Sequence, residues 1–202
     1  MTSALSPVQF DISETAHAPF PYFLAERCLD LEIEHALLDW FETDAPWRLV
    51  EKEFYEQYEF SMLDAELPGV VNALTSSKAL NRLRAIFERQ FDTCLTSRID
   101  LVAHKLIAGQ RIAIHNDYLT GAETHRLTVQ INRGLVDDQG GFFMLFNSFD
   151  AGDVHRILRP ISGTGVGFEI GPNSHHAVSR MHSGERYTLV YSFHADAARI
   201  PH

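Results

Sequence analysis

The stretch Gly165-Val166-Gly167-Phe168-Glu169-Ile170-Gly171-Pro172-Asn173-Ser174-His175-His176-Ala177-Val178 decides the fold class. A short apolar run stops at Gly171-Pro172-Asn173, a turn signal, and a second run begins at once. Neither run is long enough to be a helix, so both read as strands. The same pattern recurs on either side of it, from residue 97 onward. Ile99 to Ile107, Arg111 to His115, Leu127 to Asn132, Gly141 to Phe146 and Tyr187 to Phe193 are short runs rich in β-branched and aromatic residues. Ala108-Gly109, Thr120-Gly121, Gly140-Gly141, Ala151-Gly152 and Ser183-Gly184 punctuate them. Short strands at near-regular spacing predict a sandwich or barrel.

Upstream of residue 97 the periodicity changes. Glu26 to Thr43 places Leu29, Ile33, Ala36, Leu37 and Trp40 on one stripe with acids between them, which predicts a helix. Val70 to Thr93 predicts a second, entered through Leu67-Pro68-Gly69, and Trp47 to Phe60 reads as one or two strands. The expected organisation is a single domain over residues 1–202. Residues 1–97 form a helical and strand support region, and 98–202 form the β core. The fold class is mainly β, with the N-terminal helices packed on one sheet.

Composition narrows the function. The chain has 202 residues, 45% hydrophobic and 22% charged, which excludes wholesale disorder. Seventeen basic against 27 acidic residues leave a net charge of −10, which argues against a nucleic-acid partner. Cys28 and Cys94 form no C-x-x-C pair and no disulfide framework, as expected of a reducing cytoplasm. Met1 to Phe20 has no basic stretch followed by an apolar run, and no apolar stretch reaches membrane-spanning length, so neither a secretory leader nor a membrane anchor is expected. Nothing in the pattern specifies an oligomeric state.

Histidine is the unusual count: eleven, nine of them from His104 onward. His115-Asn116-Asp117 follows the apolar run ending at Ile114, and an H-x-D at a strand end offers an imidazole nitrogen and a carboxylate oxygen to one point. A third ligand is expected from Ser174-His175-His176-Ala177-Val178. His176 is favoured by the H-x-V pattern and its ten-residue step to Arg186, with His175 the alternative. Two histidines and a carboxylate are the ligand set of non-haem iron(II) oxygenases. Arg186 and Thr188 share a strand face, and an inward guanidinium calls for a carboxylate partner. That partner is a bound carboxylate or, in the competing reading, Glu185 or Glu169. Arg126, Thr128 and Gln130 share another face, either lining the cavity to meet a substrate carboxylate or facing water. His104 reads as an ordinary surface or half-buried histidine, and the acidic segment Glu51, Glu53, Glu56 and Glu59 as a solvated face or a loop over the mouth with Phe54, Tyr55 and Tyr58.

This ordered set resembles the iron(II)- and 2-oxoglutarate-dependent oxygenases, in particular the prolyl-hydroxylase-like branch. The resemblance is carried by His115-Asn116-Asp117, Gly140-Gly141-Phe142-Phe143, Gly165 to Phe168, His176-Ala177-Val178 and Gly184-Glu185-Arg186-Tyr187-Thr188-Leu189, over residues 98 to 194. It implies a double-stranded β-helix, a jelly-roll with the metal at its open mouth. It implies iron(II) on His115, Asp117 and His176, and 2-oxoglutarate held at its far carboxylate by Arg186 and Thr188. Dioxygen would convert 2-oxoglutarate to succinate and carbon dioxide while a C–H bond of a small molecule or amino acid is hydroxylated. Asp117 argues against halogenation, because halogenases of this type carry Gly or Ala there. Three positions depart from the branch: Leu106 and Gln130 stand where tyrosines are common, and Ser192 where a tryptophan is. The resemblance also implies two alternatives. The substrate could be a residue in a protein or carrier-bound peptide. The chain could instead be a cupin-like binding module without turnover, although the cupin H-x-H and following Glu are absent.

Overall fold

The computed structural model describes residues 7–119 and 123–196, so the Thr120-Gly121 turn lies outside the described residues. In chain order the elements begin with β1 (Asp11–Ala16), β2 (Tyr22–Glu26), α1 (Leu31–Thr43), β3 (Arg48–Lys52) and β4 (Tyr55–Ser61). A 3-10 helix (Gly69–Thr75), α2 (Ser77–Phe91), β5 (Leu95–Ile107), β6 (Ile112–His115) and β7 (His125–Gln130) follow. After a 3-10 turn come β8 (Phe143–Phe146), β9 (Val154–Leu158), β10 (Gly165–Glu169), β11 (His176–Val178) and β12 (Glu185–Ala195).

The strands form one curled antiparallel sheet in the order β1-β2-β10-β7-β12-β5-β4-β6-β11-β8-β9, with β3 on β4. Its two halves meet through a single pairing, Tyr55 with Ile112, where the sheet turns over on itself. The result is the double-stranded β-helix expected from the resemblance. β2 and β4, both N-terminal to residue 98, pair directly with later strands, and β1 extends the sheet from β2.

Two apolar clusters explain the shape. One lies between the helices and the outer face of the larger half-sheet, where Leu127, Val129, Leu189, Tyr191 and Phe193 meet Leu37, Phe41, Leu83 and Phe87. The other closes one end of the space between the half-sheets, with Leu106, Phe143, Leu145, Phe168 and Val178. Because strand side chains alternate, burying Leu127, Val129 and Ile131 under the helices turns Arg126 and Thr128 to the opposite face, toward the cavity.

The predicted helices are shortened by local chemistry. Glu26 ends a strand, so α1 starts at Leu31, where the Asp30 carboxylate accepts from the Glu32 N–H. The predicted Val70–Thr93 helix is broken at Ser76. Its backbone is extended there, and its hydroxyl accepts from the Ala79 N–H, capping α2 and ending the 3-10 helix. No described helix is long and apolar enough to cross a membrane.

Candidate active site

His115 is the last residue of β6, and its register partner in the neighbouring strand β11 is His176. The pairing sets the two rings side by side, 4.2 Å between centroids. Asp117 is not a strand residue. The chain leaves β6 through Asn116 and enters a left-handed conformation at Asp117, φ 58°, which swings the carboxylate back to the histidines. Asn116 secures this bend: its amide donates to the Pro172 carbonyl, and its own carbonyl accepts from the Ser174 hydroxyl. The two ligand-bearing loops are thereby tied together, although they lie far apart in sequence.

The candidate donor atoms of His115, Asp117 and His176 all lie within 4.8 Å of one another. His176 Nε2 is 3.1 Å from Asp117 Oδ2, and His115 Nε2 is 3.4 Å from Asp117 Oδ1. Each Nδ1 faces a carbonyl oxygen, Ala113 at 2.9 Å and Ser174 at 2.7 Å. A carbonyl only accepts, so Nδ1 carries the hydrogen and Nε2 presents a bare lone pair. Two lone pairs and a carboxylate converging at this distance repel one another unless a cation stands between them. The donor set therefore fits a divalent metal with open positions. His175 lies outside this group, its ring against Phe149.

Aromatic rings hold the imidazoles. Phe54 stacks on His115 at 4.6 Å, and Phe168 and Phe143 pack on His176. Burial raises the Asp117 carboxyl, but the charge of the Arg126 guanidinium beside it outweighs this, so Asp117 stays well below the usual carboxylate range. Burial lowers His176 against the pull of Asp117, which keeps it neutral and able to ligate.

These residues open into a cavity of about 250 Å³ between the half-sheets, lined also by Arg126, Thr128, Arg186, Thr188 and Ser192. Arg186 is 3% exposed, its Nε has no partner, and it meets no carboxylate among the described residues, Glu185 and Glu169 included. Burial alone pulls it down to about 10. Gly141 makes room for it, since a Cβ there would lie 2.9 Å from the Arg186 Cδ. An unpaired guanidinium at the closed end of a cavity fits a carboxylate ligand. The neighbouring Thr188 hydroxyl donates to Gln130 Oε1 at 3.3 Å.

The three candidate substrate residues separate. Arg126 lines the cavity, but its two terminal nitrogens are bonded to Asp117 and Glu123. Thr128 also lines it, whereas Gln130 sits behind Thr188 and does not. Leu106 belongs to the apolar cluster, so no tyrosine hydroxyl is available there. Three further polar residues line the cavity: Gln57, which the pattern reading passed over, and Glu59 and His104, to which it gave no site role. Their signal was available in part. Gln57 and Glu59 are i, i+2 on one strand, and His104 alternates with Val102 and Leu106.

No family model matches this chain, and no curated protein matches it. Solved structures do. A Pseudomonas putida prolyl-4-hydroxylase superposes with a TM-score of 0.70 at 18% identity, covering 87% of this chain and 93% of that one. A Trichoplax adhaerens prolyl hydroxylase, crystallised with a peptide fragment of the oxygen degradation domain of hypoxia inducible factor, gives 0.69 at 12% identity, covering 86% and 83%. A Burkholderia pseudomallei oxidoreductase of the 2-oxoglutarate–iron(II) oxygenase family gives 0.57 at 20% identity, covering 82% and 80%. The chain therefore has the fold of the 2-oxoglutarate- and iron(II)-dependent oxygenases. Within that class its likeness is to the prolyl hydroxylases, over most of the length of each.

Proposed function

We propose that this chain is an iron(II)- and 2-oxoglutarate-dependent dioxygenase that hydroxylates an unactivated C–H bond. The observation that carries the reading is the convergence of His115, Asp117 and His176 in the same cavity as the unpartnered, buried Arg186. His115, Asp117 and His176 would hold iron(II). Arg186 would take the far carboxylate of 2-oxoglutarate in a two-point clamp, with Thr188 turning its hydroxyl from Gln130 to the same group. When bound, iron(II) supplies the activation of dioxygen that couples decarboxylation of 2-oxoglutarate to substrate oxidation. The protein's contribution is placement. Arg126 holds one side of Asp117, Phe54 packs on the His115 ring and Phe143 on the His176 ring, and the apolar lining of Val102, Val178 and Val190 excludes water.

The prime substrate in this reading is a small molecule or an amino acid, which suits a cavity of about 250 Å³. A residue of a protein or carrier-bound peptide is the second reading. It is favoured by the peptide held in the Trichoplax neighbour and by the exposed Tyr118 and Leu119 just beyond Asp117.

Purified protein with iron(II), ascorbate and dioxygen should convert 2-oxoglutarate to succinate, slowly even without prime substrate. Asp117→Ala and His176→Ala should reduce this to background. Full turnover by Asp117→Ala would refute the assignment. A missing charge-transfer band with iron(II) and 2-oxoglutarate under nitrogen would favour the cupin-like alternative.

A further inference from the structure

One cavity wall is built by β4 and β5. Gln57 and Glu59 stand two residues apart on β4 and line the cavity together with His104 of β5, the register partner of Glu59. Gln57 is 1% exposed, and its amide nitrogen donates to Glu59 Oε2 at 2.9 Å. Because a carboxylate can only accept here, that bond fixes the orientation of the amide. Gln57 Oε1 is then left buried with no partner. Nature rarely leaves such an acceptor unmatched in a closed site.

Glu59 is the second part of the observation. It and Asp117 are the two carboxylates lining the cavity. Asp117 has Arg126, which also takes Glu123. Glu59 has no Lys or Arg partner among the described residues. Two basic residues stand opposite it: His104 on β5, 3.8 Å away, which burial and the charges of Arg126 and Arg186 lower to about 3, so it is neutral, and Arg48 on β3, which is exposed and makes no ion pair with it among the described residues. Lys105, the next residue along, points to the other face and is taken by Glu185 at 2.8 Å. With iron(II) and 2-oxoglutarate cancelling in charge, this wall keeps one unmatched negative charge and a free amide oxygen. Its complement is a group that is cationic and carries several N–H donors. Phe54 and Tyr55 at the same end offer ring faces to such a group.

We propose that Gln57 and Glu59 form a subsite for an ammonium or guanidinium group of the prime substrate, so that the oxidised C–H bond belongs to a basic amine or guanidine. The inference rests on the oxygenase reading above. It replaces the expectation of a substrate carboxylate at Arg126, whose charge is already matched by Asp117 and Glu123.

The test uses the full chain with iron(II), ascorbate and 2-oxoglutarate. Succinate formation is measured with free lysine and arginine, and with short peptides containing them. Each is paired with its uncharged counterpart, Nε-acetyl-lysine or citrulline, free or in the same peptide. The cationic member should exceed its counterpart in kcat/KM by about tenfold or more. The free and peptide arms distinguish the two sources of the group. Glu59→Gln should bring each pair close to parity, a ratio that a merely structural role would not move. The iron(II)–2-oxoglutarate band under nitrogen is recorded on the same wild-type preparation. A band without any preference for the cationic members overturns the subsite and leaves the oxygenase reading standing. No band removes that reading and this inference with it. A preference that survives intact in Glu59→Gln overturns the assignment to Glu59.

Discussion

Replacing Arg186 by methionine should stabilise the protein in the absence of 2-oxoglutarate while destroying its response to that ligand. Arg186 is 3% exposed, and among the described residues its Nε has no partner and no carboxylate offsets its charge. Burial brings it down from the ordinary guanidinium range to about 10. At 1.36 kcal/mol per tenfold change in proton affinity, that is a penalty of about 3 kcal/mol on the charged side chain. Methionine keeps the length of the stem beside Gly141 and removes the charge. Exchanging buried ionic groups for apolar ones of similar volume commonly gains about 1–4 kcal/mol, so the expected gain is about 1–3 kcal/mol. The assay is guanidinium denaturation followed by tryptophan fluorescence, since Trp40 and Trp47 pack against the main core. It is run under nitrogen with and without iron(II) and 2-oxoglutarate. Wild-type protein should gain about 2.7 kcal/mol at a hundredfold excess of ligand over its Kd, and Arg186→Met should gain almost nothing from 2-oxoglutarate. A variant less stable than wild type without ligand, yet stabilised by 2-oxoglutarate to the same extent, would refute the idea that this cation is an anchor held in reserve.

Two further outcomes follow from packing and burial. Gly167→Ala should cost about 3 kcal/mol, read as a lower urea midpoint at unchanged slope, because a Cβ there would lie 2.2 Å from the fully buried Phe23 ring. His125 is buried beside Phe87 and Phe91, and its folded-state value falls to about 4 against an ordinary 6.5. The unfolded chain therefore takes up the proton first. Stability from this group is complete above about pH 6.5 and is lost progressively down to about pH 4, by up to about 3 kcal/mol. His125→Leu should flatten that part of the pH–stability curve and leave the slope due to His104; an unchanged curve would count against the buried neutral ring.

Much of this protein was readable from its sequence because strands and turns are written locally. The alternation of Leu127, Val129 and Ile131 with Arg126 and Thr128 already separates an apolar face from a polar one, which by itself could line a cavity or face water. The Gly171-Pro172-Asn173 turn punctuates regardless of context, and the ordered motifs single out His115, Asp117 and His176, whose donor atoms the coordinates bring within 4.8 Å of one another. Tertiary structure decided what depends on partners distant in the chain. Ser76 breaks a helix that periodicity alone would continue, because capping is worth more there than one further turn. Asp117 reaches the histidines through a left-handed bend braced by Pro172 and Ser174, not along a strand. Arg126, one more cation in the text, is spent on Asp117 and Glu123, while Gln57, Glu59 and His104, unremarkable in sequence, face the cavity. The physical reason is common to all three. Alternation fixes which face a side chain takes, but charge pairing and desolvation act across space, and only the closed sheet determines which groups meet.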